Sequence, residues 1–225
     1  MLRKPGASAG VAMVAELIVA FCGSVCFRNL AFAQMAAGSI TGIKGSAQLI
    51  RGVQTLTIAV GTAVEVGDKI ITATKAEATL RLRDGSTLTL GESSTMTIDH
   101  IVGAAAGAPS VIGLLSGHLR SAVATALRGT IGSFEIHTPN AIAGVRGTKF
   151  DTAFIEGTPC PGFPKCLRYT DVGVFEGIVE VFNPTNPSAA PVTVKAGYET
   201  TVPCEEPPSS PGPLGIEEMG GPGYH

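Results

Sequence analysis

The chain has 225 residues, with 16 Lys+Arg against 18 Asp+Glu for a formal charge of −2, and it carries 29 Gly, 15 Pro and no Trp. That length is enough for one domain with a real core. With only 15% charged residues and no basic surplus, the chain lacks the electrostatic footprint of a nucleic-acid binder.

The N-terminus reads as an export signal. Arg3 and Lys4 give a positive start, residues 11–27 form an apolar run broken only by Glu16, and Ala31 and Ala33 are the small residues a signal peptidase reads. The expected cleavage lies between Ala33 and Gln34, leaving residues 1–33 as a signal helix outside the fold. An uncleaved anchor is the alternative, but the run is short for a membrane span. Phe21 and Val25 stand where a lipobox needs a small residue, so Cys22 and Cys26 do not mark a lipoprotein. Removing Arg3, Lys4, Arg28 and Glu16 leaves 13 basic and 17 acidic residues, a formal −4.

From residue 38 to residue 202 the dominant period is two. In AEATLRLRDGSTLTLGESSTMTID, Ala76, Ala78, Leu80, Leu82, Leu88, Leu90, Met96 and Ile98 alternate with Glu77, Thr79, Arg81, Arg83, Thr87, Thr89, Thr95 and Thr97. This is the alternation of half-buried strands. A two-residue turn at Asp84-Gly85 would mix the two faces. An odd-length connection, with Leu82 opposite Leu88 and Leu80 opposite Leu90, keeps one face apolar. At Glu176-Gly177 the parity instead permits a tight hairpin, with Val174 opposite Val179 and Val172 opposite Val181. Further strands are expected at 39–43, 47–51, 55–60, 69–72, 133–138, 149–154, 169–174, 178–182 and 192–196. Residues 119–127 are the one helical candidate, and 103–109 read as a loop. A faint echo links VEVGDKIITA, from Val64, to VKAGYETTVP, from Val194.

Three cysteines follow the signal. Cys160 and Cys166 flank PGFPK, and a disulfide closing this small loop is the expected pairing in an oxidising compartment. Cys204 is then left over, to pair between chains, swap into the loop or stay free. A metal site is the rival reading, but no His or further Cys lies nearby at ligand spacing. Residues 203–225, rich in Pro, Gly and Glu, read as a disordered tail.

The residues that could carry chemistry do not assemble into a set. His100, His118, His137 and His225 lack HxxH or HExxH spacing, and no GxSxG elbow supports a nucleophilic serine. Asp84, Glu92, Asp99 and Asp151 are scattered at turns and strand ends. The string GVRGT, with Gly144, Arg146, Gly147 and Thr148, is followed by alternating KFDTAF rather than by the helix a phosphate loop opens. It is therefore expected to be a strand corner, with Arg146 bracing backbone carbonyls and Thr148 bonding its own turn. No catalytic residue, cofactor or metal is expected.

Several ordered pieces carry a family resemblance. They are VGDKIITAT with the alternating run to Ile98, LLSGHLR from Leu114, FEIHTPNAIAGVRGTKF from Phe134, VGVFEGIVEV from Val172 and VKAGYE from Val194. Together they resemble the FecR domain of bacterial iron-dicitrate-type sensors. The resemblance implies an all-β, non-catalytic, extracytoplasmic domain over residues 38–202, similar to a twisted β-solenoid or an irregular β-sandwich of short strands. In membrane-bound members such a domain links a receptor's signal to a sigma factor. About ten residues precede the apolar run here, so the expectation is a stand-alone exported domain without an anti-sigma segment. It would act through an envelope protein partner, in the periplasm or secreted, touching the membrane only through its signal before cleavage. A carbohydrate or small-ligand binding module of the envelope is the alternative, and an envelope hydrolase the weakest reading.

Overall fold

The structure is a computed structural model and describes residues 36–101, 109–124, 134–145 and 147–215. The expected signal segment 1–33 and most of the loop at 103–109 lie outside these residues. All regular structure among the described residues is β: β1 (Gly38–Lys44), β2 (Ala47–Arg51), β3 (Gln54–Thr57), β4 (Ala63–Val64), β5 (Lys69–Thr72), β6 (Glu77–Leu82), β7 (Thr87–Leu90), β8 (Thr95–His100), β9 (Ser110–Ala122), β10 (Phe134–His137), β11 (Ile142–Val145), β12 (Lys149–Glu156), β13 (Arg168–Glu176), β14 (Ile178–Phe182), β15 (Val192–Lys195), β16 (Tyr198–Pro203) and β17 (Gly212–Pro213).

The strands form two ladders that share one strand. The first runs β4, β1, β6, β7, β9, β12, β13, β16, β17 and is antiparallel throughout. The second runs β3, β2, β5, β8, β9, β10, β11, β14, β15, with a single parallel pair between β9 and β10. The N-terminal half of β9 pairs in the second ladder and its C-terminal half in the first. At 13 residues, β9 is about 40 Å long, enough to run through both. Its buried positions change parity along the way: Ile112 and Leu114 face the core in one half, Leu119 and Ser121 in the other. The change falls at Gly117, whose φ of 82° shifts the pleat by one residue.

The alternation seen in the sequence explains the packing. Leu80, Leu82, Leu88, Leu90, Phe150, Val172 and Val174 from the first ladder meet Leu49, Ile70, Met96, Ile98, Phe134, Val179 and Val181 from the second in one core. Each fully buried branched or aromatic side chain contributes about 1.5–3 kcal/mol. Threonines on the outer faces pair across strands, as Thr79 does with Thr89.

Four expectations need correcting or refining. The connection after β6 is odd-length, as parity requires, but two residues tighter. Leu82 N–H donates to Ser86 O (2.9 Å) around Arg83-Asp84-Gly85, and Leu80 stands opposite Leu88. Strands β13 and β14 are not a hairpin. β13 pairs with β12 and β16, β14 with β11 and β15, and Gly177 (φ 87°) carries the chain from one ladder to the other. Residues 119–122 are strand, not helix, because Leu119 and Ser121 alternate with Arg120 and Ala122 between β7 and β12; 125–127 lie outside the described residues. Residues 203–215 are not disordered. Asn183 Nδ2 donates to the carbonyls of Pro203, Cys204 and Glu206. Further on, Leu214 N–H donates to Gly197 O and β17 pairs with β16. Residues 216–225 lie outside the described residues.

The echo between Val64 and Val194 has a shared conformation. In both stretches a buried valine precedes a glycine with φ near 90°, Gly67 at 92° and Gly197 at 82°, where the chain changes ladder. A buried polar relay ties the ladders together at the TPN string. Thr138 and Thr170 hydroxyls lie 2.7 Å apart, Thr170 Oγ1 donates to Asn140 Oδ1 (2.6 Å), and Asn140 Nδ2 donates to Val202 O (2.7 Å). Asn140→Leu removes the link between the Thr170 hydroxyl and the buried Val202 carbonyl. It is expected to cost about 2–4 kcal/mol, read as a lower urea midpoint at unchanged slope.

Candidate functional site

The GVRGT string bridges the two ladders. Gly144 lies inside β11, between Glu135 and Glu180 of the flanking strands. Gly147 (φ 59°) and Thr148 form the corner from β11 into β12. Thr148 is buried; its hydroxyl donates to Ile178 O (3.1 Å) and its carbonyl accepts the Val123 N–H (2.9 Å). The threonine therefore bonds across to β14 and to the end of β9. Arg146 lies outside the described residues.

Arg51 forms an arginine brace at the VGDK corner. Arg51 Nε and Nη2 donate to both oxygens of Asp68 (2.8 and 2.7 Å), Nη1 to Glu65 (2.8 Å) and Nη2 to Ala63 O (3.1 Å). Asp68, fully buried, also accepts the Glu65 N–H at 2.8 Å. The VGDK corner is thus closed by a bidentate pair, the strongest geometry open to a carboxylate. Its partners sit 17 positions apart, Arg51 in β2 and Asp68 in the turn just before β5, two strands adjacent only in the fold.

The outer face of the first ladder carries a charged cluster that sequence reading scattered. Arg120 on β9 grips Asp151 on β12 through Nε and Nη2 (2.9 and 2.8 Å), His118 Nε2 lies 3.4 Å from the same carboxylate, and the Arg120 guanidinium sits 5.3 Å over the Phe175 ring. The register that puts Asp151 opposite Arg120 was not deducible from spacing alone. Burial pushes the Asp151 carboxyl up, yet the hydrogen bonds from Arg120 and His118 outweigh it and hold the group below the ordinary carboxylate range. A depressed folded-state value adds stability above the unfolded pKa of about 4 and loses it as pH falls through the folded value. Asp151→Asn is therefore expected to lose about 1.5–3 kcal/mol at neutral pH. The gap to the parent chain closes in acid, a pattern read by urea midpoints across an acid-to-neutral series.

The three cysteines gather at one end of the first ladder. The bridge joins Cys166 to Cys204, with Cα atoms 5.7 Å apart and 38 positions between them, while Cys160 is a buried free thiol. The expected Cys160–Cys166 bridge is thus not the one formed. The register of β13 on β16 sets Tyr169 opposite Pro203, which brings Cys204 to Cys166. Cys160 instead caps its own loop by donating its N–H to Cys166 O (2.8 Å). Burial pushes its thiol pKa up, with the Asp171 charge adding to the effect.

At the opposite end of the second ladder, β3 is an open edge. Its four residues are all exposed and it pairs only with β2 among the described residues. Gln54, Thr55, Leu56 and Thr57 include no charge and no proline, the usual guards of a free edge.

Comparison with known proteins assigns the family. Residues 68–180 match the FecR protein family, just over half of the chain, and the chain belongs to that family. The match runs from the buried Asp68 of the braced corner into β14. No curated protein matches the chain in sequence. Two crystal structures, at 1.65 and 2.50 Å resolution, of a candidate anti-sigma factor from Parabacteroides distasonis ATCC 8503 are similar at 18% identity and a TM-score of 0.46. The alignment covers 60% of this chain and 54% of theirs, so the chain spans about half the length of these relatives.

Proposed function

We propose that this FecR-family chain is an exported, non-catalytic signalling domain of the cell envelope that works by protein–protein contact. Export is supported by the leader grammar before Gln34 and by the Cys166–Cys204 bridge, which needs an oxidising compartment to persist. Contact is supported by one observation above others: the unguarded edge of β3, flanked by exposed Val53 and Val60. An edge of this kind adds a partner's strand through main-chain hydrogen bonds. The polar clusters at Asp68, Asp151 and Asn140 are all engaged in holding the body together.

The test compares the full chain with Leu56→Lys/Thr57→Lys in the native host, after chemical crosslinking. The expected result is a discrete crosslinked species in the envelope fraction that the double variant loses at unchanged melting temperature, on a chain beginning at Gln34. An identical adduct from the variant would remove β3 from the account. A chain recovered in the cytosol with its N-terminus intact would remove export.

A further inference from the structure

Cys160, Cys166 and Cys204 form a small cluster of their own, apart from the main core. Cys160, Cys166 and Tyr169 are its buried members, with Ile155 and Cys204 packed against them. Three sulfurs in one cluster can make one bridge at a time, and two pairings share Cys166. The observed bridge ties Cys166 to Cys204. The backbone already holds Cys160 against Cys166 by the 2.8 Å hydrogen bond between them, across a turn closed by Cys166 N–H donating to Phe163 O (2.8 Å).

The two pairings differ in what they hold. The Cys166–Cys204 bridge anchors the start of the strap 203–215 along β16. That strap is otherwise secured by Asn183 at its start, by Ser209 N–H donating to Thr201 O (2.8 Å), and by Leu214 N–H donating to Gly197 O (2.9 Å). The alternative pairing would close only the 160–166 loop and leave the strap without a covalent anchor. Cys204 borders an open cleft lined by Glu156, Gly157, Lys165, Leu167 and Arg168. The lining carries two basic residues, Lys165 and Arg168, and one acidic residue, Glu156.

From this arrangement we infer that the cysteine end is an internal thiol–disulfide exchange site, in which Cys160 displaces Cys204 from Cys166 and frees the strap 203–215. In the step, the Cys160 sulfur, as thiolate, attacks Cys166 Sγ; the Cys160–Cys166 bond forms and the Cys166–Cys204 bond breaks. The electron pair leaves on Cys204, which takes up the proton that Cys160 gave to solvent. One disulfide and one thiol exist before and after, so no oxidant or reductant is consumed. The burial of Cys160 sets the gate: exchange waits on opening of the 157–167 loop. The product carries a thiol at the cleft, open to a thiol-bearing partner.

The test uses the full chain with Cys22→Ser and Cys26→Ser, so that only the three clustered cysteines remain. Folded protein is incubated without reductant in the presence of a maleimide, then denatured, labelled with a second alkylating agent and mapped by peptide mass spectrometry. Cys204 is expected to acquire the first label over time, in step with the appearance of a Cys160–Cys166 peptide, and the Ser209 and Leu214 amides lose hydrogen-exchange protection in that fraction. Adding Cys160→Ser is expected to abolish the Cys204 label while leaving the Cys166–Cys204 peptide intact; Cys160→Ala serves equally if serine disturbs the buried site. Cys204 remaining unlabelled in the three-cysteine chain would overturn the inference, as would equal labelling with and without Cys160.

Discussion

Gly117→Ala is expected to be strongly destabilising. A Cβ at that position would clash with Ser94 Oγ and would stand 2.7 Å from Ser94 Cβ and 2.8 Å from Ser94 Cα. The backbone atom cannot swing away, and Ser94 Oγ already accepts the His118 N–H at 2.9 Å. The φ of 82° adds strain for any L side chain. Left-handed backbone costs about 1–2 kcal/mol and overpacking about 1–3. The sum, about 2–5 kcal/mol, is a large share of the 5–15 kcal/mol that holds a typical domain together. Gly52→Ala separates the two causes. Its φ is 57°, but nothing lies within 4 Å of the added carbon, so only the strain remains, about 1–2 kcal/mol. Thermal melts of both variants beside the parent chain check the pair; equal losses would show that crowding at Ser94 is not what fixes Gly117.

Removing the bridge ranks second. In a Cys160→Ser background, which blocks re-pairing, Cys204→Ser is expected to cost a further 2–4 kcal/mol or so. The reasoning is chain entropy: tying residues 38 positions apart restricts the unfolded chain by about 4 kcal/mol, whereas a six-residue loop would give only about 2. Cys160→Ser alone is expected to cost little beyond the packing of one sulfur. If the loop pairing were the real one, the single variant would carry the loss and the added Cys204→Ser would do nothing. Urea midpoints of the two variants decide between these patterns.

The fold was legible where one face is apolar and the other polar. Residues 76–98 fixed their strands, their faces and the odd loop at Asp84, because each slip would bury threonine or arginine. Legibility failed where both faces are apolar or where the inward residue is small. Val174 and Val179 satisfied a hairpin rule, but both strands are covered on each edge and the glycine between them serves as a crossing. Ser121 faces the core on β9 and weakened the alternation enough for 119–127 to pass as helix. The bridge was misread because proximity in sequence stood in for proximity in space; the β13–β16 register that supplies Cys204 depends on residues dozens of positions away.

The polar sites followed the same logic. GVRGT leads into strand β12, whereas a phosphate loop opens a helix. The Arg51–Asp68 and Arg120–Asp151 pairs were not visible, because each joins strands whose pairing only the fold defines. Once formed, these pairs remove the charged residues from the pool available for chemistry.

The central claim is that both ladders form one body because β9 runs through each of them. Amide hydrogen exchange on the full chain tests it most directly, read separately at 111–115 and at 118–122. The account predicts that the slowest amides in the two halves of β9 open together, with the free energy of global unfolding, and that both halves show extended-strand chemical shifts. Independent opening of the two halves, or helical shifts from residue 119 onward, would contradict it.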